Sequence, residues 1–181
     1  MNEAAINAAM DNRGFVKQED IKKSFIKVGI GAEKKSRIIS DKEKKITAYH
    51  EAGHASVSWL LEHANPLVKV TIVPRGQALG AAWYLPEERQ ITTKAQLLDQ
   101  MISLLGGRAA EEIVFGEVST GALNDLERVT KQAYAMVVYY GLDKEIGNIS
   151  FYDSSGQSEY GFQKPFSDKT AEKIDAQIRS M

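Results

Sequence analysis

The chain of 181 residues contains no cysteine, which excludes disulfides and thiolate metal sites and leaves the redox compartment open. Histidine is almost as scarce, at three. No apolar run approaches the roughly 18 residues a membrane-spanning helix needs, and there is no signal sequence, so the chain is expected to be soluble. No Gly-x-x-x-x-Gly-Lys-Ser/Thr phosphate loop occurs anywhere, which excludes ATP hydrolysis by this chain. A net charge of −1 and the lack of any aromatic and basic patch argue against nucleic-acid binding. Internal repeats are absent. What remains, with 43% hydrophobic content, is enough to bury one sizeable core: one main domain with an appendage.

Two of the three histidines fall in His50-Glu51-Ala52-Gly53-His54. On a helix, positions four apart share a face, so two neutral imidazoles can bind one Zn²⁺, and Glu51 sits where it can take a proton from water at the metal. The helical context is written nearby. Ser40-Asp41-Lys42-Glu43 has the form of a capping box and starts a helix. Ile46, Tyr49, Gly53, Val57 and Leu60 recur at helical spacing as a buried stripe beside the two histidines, and Asn65-Pro66 marks the expected end. Gly53 is a poor helix residue whose presence points to a close backbone or substrate. His63, nine residues past His54, is half a turn out of phase and is not expected to ligate. The bland alternative is a chance pair of histidines flanking a glutamate.

A catalytic zinc has three protein ligands and one open position. With no thiolate available, the third ligand is expected to be a carboxylate, and two segments offer one. Gly106-Gly107-Arg108-Ala109-Ala110-Glu111-Glu112 ends a helix capped at Thr93-Lys94-Ala95-Gln96, with Leu97, Leu98, Met101, Ile102, Leu105, Ala109 and Ile113 as its apolar run. Thr120-Gly121-Ala122-Leu123-Asn124-Asp125 opens a second helix, stopped by Gly141 after Tyr140. In that helix Ala122, Leu126, Val129, Ala133, Met136, Val137 and Tyr140 form the buried stripe, and Glu127, Arg128 and Lys131 take the solvent side. Asp125 lies on the edge of the stripe, where a carboxylate needs a partner or a metal, unless it is an ordinary helix-start acid facing water. Glu111 and Glu112 have an ordinary explanation in ion pairs with Arg108.

Val68 to Val73 is β-branched, and the turn Pro74-Arg75-Gly76 leads to Leu79-Gly80-Ala81-Ala82-Trp83-Tyr84-Leu85, so a small hairpin is expected in an otherwise mainly α-helical domain. The small residues Gly80, Ala81 and Ala82 would let a substrate peptide add as a strand at its edge, and a purely structural hairpin is the alternative. Residues 147–166 read as a polar, mobile loop. A last amphipathic helix from Ser167, with Ala171, Ile174, Ile178 and Met181 on one face, meets no stop signal and is expected to be cut short at the C-terminus.

Four blocks, in order, resemble the peptidase domain of FtsH-type AAA+ zinc metalloproteases: Thr47 to Ala55; Lys69 to Gly76 with Leu79-Gly80; Gly106 to Glu112; and Ser119 to Ala122 with Asn124-Asp125. The likeness runs from about Lys34 to the C-terminus. Leu123 stands where relatives often have a small residue. The resemblance implies one Zn²⁺ per chain held by His50, His54 and Asp125, Glu51 as catalytic base, and Glu111 behind a ligating imidazole. Asn2 to Ala9 and a second helix from Glu19 to Val28 resemble the end of an AAA+ lid. The expected domains are therefore residues 1–30 (end of the lid), 31–39 (linker) and 40–181 (zinc peptidase). The implied parent is a homo-hexameric protease, with ATP bound only in an ATPase domain absent here and unfolded protein as substrate. Its membrane tether would lie outside this chain, placing it at the cytoplasmic face of a bacterial inner membrane or in an organellar membrane. A non-catalytic ring-assembly module with structural or no zinc is the competing reading, and the intact Glu51 speaks against it.

Overall fold

Helices start where polar caps satisfy their first amide groups. In the computed structural model, which describes residues 1–30, 39–74, 79–85, 88–152 and 165–181, the Ser40 hydroxyl accepts from the Glu43 amide and the Glu43 carboxylate accepts from the Ser40 amide, opening α3 (Asp41–Leu60). Thr93 and Gln96 form the same reciprocal cap on α4 (Lys94–Phe115). Gly116 ends α4 in the left-handed conformation, as glycine permits. Ser167 caps α6 (Asp168–Ser180).

Before these come α1 (Asn2–Met10) and α2 (Gln18–Ile30). Between α3 and α4 lies an antiparallel pair, β1 (Leu67–Thr71) and β2 (Ala81–Tyr84), with Thr71 opposite Ala81, Val70 opposite Ala82 and a bulge near Val68. After α4 a 3₁₀ turn (Thr120–Ala122) leads into α5 (Leu123–Tyr134), which continues through a π-helical turn at Ala135–Tyr139 before Gly141 reverses the chain at φ 60°. The mainly α expectation with a small sheet is met. The linker, the Arg75-Gly76 turn and residues 153–164 of the 147–166 loop lie outside the described residues.

The apolar core lies behind the site. Met101 of α4 packs with Ala133 and Met136, and Val137 and Val138 pack with Ile174 of α6. Phe151 and Phe166 close on that second cluster, so both flanks of the 147–166 segment are anchored. Complete burial of a Val or Ile side chain stabilises by about 1.5–3 kcal/mol.

The expected stripe on α3 needs correction. Tyr49 is 42% and Leu60 83% exposed, and the helix buries Thr47, His50, Glu51, Gly53, His54 and Ser58 instead. A polar face turned inward has no apolar period to read, because its burial is set by hydrogen bonds. The helix also ends at Leu60, before Asn65-Pro66, with Leu61 already extended. His63 therefore lies off the helix, and its amide donates to Asp99 Oδ2 at 3.0 Å. It stays away from the other histidines because the chain has turned, and helical phase plays no part. On α4, Ile102, Ala109 and Ile113 are exposed, and on α5 Leu126 and Tyr140 are too. For Tyr140 the π turn has shifted the phase.

Candidate metal centre

α3 and α4 cross at a point where neither has a side chain. A methyl group on Gly53 would stand 2.3 Å from the Gly106 carbonyl oxygen, and one on Gly106 would stand 2.8 Å from the Gly53 oxygen. The close approach anticipated at Gly53 is thus a backbone contact. It brings Ser103, Gly107 and Glu111 of α4 against the histidine face of α3. Gly107 leaves room for an imidazole, since a methyl group there would lie 2.6 Å from His50 Nε2.

Each imidazole is oriented through its Nδ1. His54 Nδ1 lies 2.8 Å from the Ser103 carbonyl oxygen, which can only accept, so Nδ1 carries the proton. His50 Nδ1 donates to Glu111 Oε1 at 2.7 Å. Glu111 is 1% exposed; burial works against its charge, but the Ser119 amide at 2.7 Å and His50 outweigh that and hold its carboxyl below the ordinary value. Arg108 donates to the Ser119 carbonyl and makes no ion pair with Glu111, so the ordinary explanation offered for Glu111 does not hold.

With both Nδ1 atoms protonated, each neutral ring turns an Nε2 lone pair toward the same point. The two Nε2 atoms are 3.0 Å apart, and Asp125 Oδ2, delivered by the first turn of α5, lies 3.3 Å from one and 3.4 Å from the other. Three acceptors facing one another repel unless a cation lies among them. Four ligands placed tetrahedrally at about 2.1 Å from a zinc stand about 3.4 Å apart, so the spacing fits that ion. The three side chains are also the cluster suited to a metal among the described residues. A proton can take the cation's place: burial opposes charge on His50 and on Asp125, but a protonated His50 donating to Asp125 and Glu111 outweighs it, which raises His50 above its ordinary value and holds Asp125 well below the usual carboxylate range.

Glu51 belongs to the same buried face but ligates nothing in this arrangement. Burial raises its carboxyl above the ordinary value against the pull of His54 and His50. Gly80 covers it, where a methyl group would lie 2.7 Å from Glu51 Oε1. Gly80, Ala81 and Ala82 all border the cleft of about 870 Å³ that opens onto the histidines, Glu51 and Asp125. Sequence reasoning missed Ser103, whose role rests on a carbonyl that every residue type has. It also missed Ser58, which donates to the His54 carbonyl at 2.6 Å and so accepts from the Tyr84 hydroxyl at 3.0 Å, tying β2 to α3.

Residues 37–181 match Peptidase family M41. The chain is 61% identical over 180 residues to the ATP-dependent zinc metalloprotease FtsH of Parabacteroides distasonis, covering 99% of this chain and 26% of that protein. It is 53% identical over 180 residues to the protein of the same name from Rhodothermus marinus, covering 98% and 26%. With the mitochondrial inner membrane m-AAA protease component AFG3L2 of Mus musculus it shares 47% identity over 178 residues, covering 98% and 22%. The chain thus spans about a quarter of the length of these curated relatives.

Proposed function

This chain belongs to peptidase family M41, and from that premise we propose that it is the zinc-dependent endopeptidase part of an ATP-dependent protease. The observation that carries the reading is the convergence of three hydrogen-bond acceptors, His50 Nε2, His54 Nε2 and Asp125 Oδ2, at 3.0–3.4 Å. His50, His54 and Asp125 would hold the zinc. When bound, the ion supplies Lewis acidity, which acidifies water toward a pKa of about 7 and polarises a peptide carbonyl.

The remaining work falls to the chain's own residues. Glu51 accepts the proton of the attacking water at its carboxylate and returns it to the leaving amine nitrogen. Its raised pKa suits both halves of that transfer. Glu111 and the Ser103 carbonyl hold the imidazole protons on Nδ1, which keeps both Nε2 atoms free to ligate. β2 offers an edge with small side chains, Ala81 and Ala82, along which an extended peptide can lie with its carbonyl near Glu51.

The same reading makes residues 1–30 the end of an ATPase lid and 31–39 a linker, supported by the start of the family match at residue 37 and by α1 and α2 forming their own hydrogen-bonded pair through Asn7 and Ser24. It places the parent in a homo-hexamer that receives unfolded protein. The parent is tethered at the cytoplasmic face of a bacterial inner membrane, or in an organellar membrane if eukaryotic. Among the described residues no helix is long and apolar enough to cross a membrane. The deciding experiment is Glu51→Gln: zinc content should stay at one per chain while cleavage of casein falls by about 10²–10⁴, the usual loss with a general base. Near-normal turnover in that variant would overturn the reading.

A further inference from the structure

The cleft is electrically lopsided. Among its described lining residues, Glu43, Glu51, Glu111 and Asp125 are acidic, and Arg128 is the lone lysine or arginine. Their order along the cleft follows from the helix directions. α4 runs antiparallel to α3, because Ser103 meets His54 whereas Glu111, two turns later, meets His50. α5 runs back along α4: its approach at Ser119 meets Glu111, Asp125 meets both histidines, and Gln132 donates to the Leu97 carbonyl and to Gln100. Arg128, one turn past Asp125, therefore lies on the His54 side of the centre. Glu43 lies at the opposite end, eleven residues before His54 on α3 and so about 16 Å away along the helix.

Nothing in the described residues neutralises Arg128. Its acidic neighbour Glu127 is engaged by Lys131, and Arg128 itself is exposed and in no ion pair. We propose that Arg128 is a specificity residue that favours peptides carrying an acidic side chain at the subsite on the His54 side of the metal centre. Arg128 is the lone lysine or arginine among the described lining residues, so the preference is confined to one position of the substrate. The guanidinium acts on binding and leaves proton transfer to Glu51. This inference rests on the zinc-peptidase reading.

The test uses quenched-fluorescent peptides that differ only by Glu, Gln or Lys, walked through the positions on both sides of the scissile bond. kcat/KM is measured for the unaltered chain, Arg128→Gln and Arg128→Glu, with zinc content alongside. At one position the unaltered chain should favour Glu over Lys by roughly two- to five-fold, the scale of an exposed ion pair. Arg128→Gln should level that ratio and Arg128→Glu should invert it, each ratio being read within one variant against its own cleavage of the all-Gln peptide. About 1 M salt should compress the difference, since screening then acts within about 3 Å. An unchanged Glu-to-Lys ratio at every position in Arg128→Glu overturns the proposal, and so does an equal loss on all peptides. Failure of the zinc-loaded, unaltered chain to cleave any peptide would instead strike the peptidase reading, and the proposal would fall with it.

Discussion

Two polar clusters in this molecule each gather around an aspartate and differ in what that aspartate faces. In the N-terminal pair, Asp20 is 2% exposed and every contact it makes is with a donor: Arg13 Nη2 at 2.7 Å and Nη1 at 2.8 Å, and the Lys17 amide at 2.7 Å. At the histidine face, Asp125 Oδ2 and two Nε2 atoms crowd together as acceptors with no donor among them. The first cluster is complete as it stands and fixes α2 against the preceding turn. The second is complete only with a cation. A buried polar cluster thus declares its purpose by whether its donors and acceptors balance.

The sharpest way to break this contrast is Asp125→Asn. An amide is a poor substitute for carboxylate at Zn²⁺, so zinc affinity should fall by more than the roughly 10–100-fold usual for an outer partner, and peptide cleavage should vanish with it. Full zinc by metal analysis of the purified variant would remove Asp125 from the ligand set. Glu111→Gln should do less. It keeps the ligands and weakens only the orientation of His50, so a loss of about 10–100-fold in zinc affinity or activity is expected, and a larger loss than in Asp125→Asn would reverse their roles.

An acid titration should separate the two clusters. Once protonated, His50 donates to Asp125 and Glu111, which outweighs burial and raises it above its ordinary value, so protons compete with the metal as pH falls through that raised value. Asp20 is displaced the other way by Arg13 and the Lys17 amide. Its contribution is complete above the ordinary aspartate pKa of about 3.9 and is lost only as pH falls below that, through its lowered value. Zinc release should precede loss of the α1–α2 pair, and a single transition in metal content and helicity would contradict the contrast. The smallest effect at the site belongs to Arg13→Ala, which should lower the melting temperature while zinc content and casein cleavage stay unchanged.

Much of the centre could be read from the chain because its chemistry needs particular side chains at particular spacing. His50 and His54 at i and i+4, the caps at Ser40, Thr93 and Ser167, and the phase of Asp125 all pass from sequence to structure without loss. The parts that did not read share a cause. The inward face of α3 is polar, so the apolar residues Tyr49 and Leu60 gave the wrong side. Ser103 acts through its carbonyl, which leaves no trace in residue type. Gly107 and Gly80 matter for the space they leave beside His50 and Glu51, and a glycine does not announce which neighbour occupies its vacancy.

The crossing of α3 and α4 also bears on how such a site can change over generations. The smallest alteration any mutation can make at a glycine adds a methyl group, and at Gly53 that group would land 2.3 Å from a carbonyl oxygen. The separation of the two helices therefore has no neighbouring setting that drift could sample in small steps. A change in what the cleft accepts meets no such backbone at Leu123 and Arg128 on α5, whose exposed side chains border the same space.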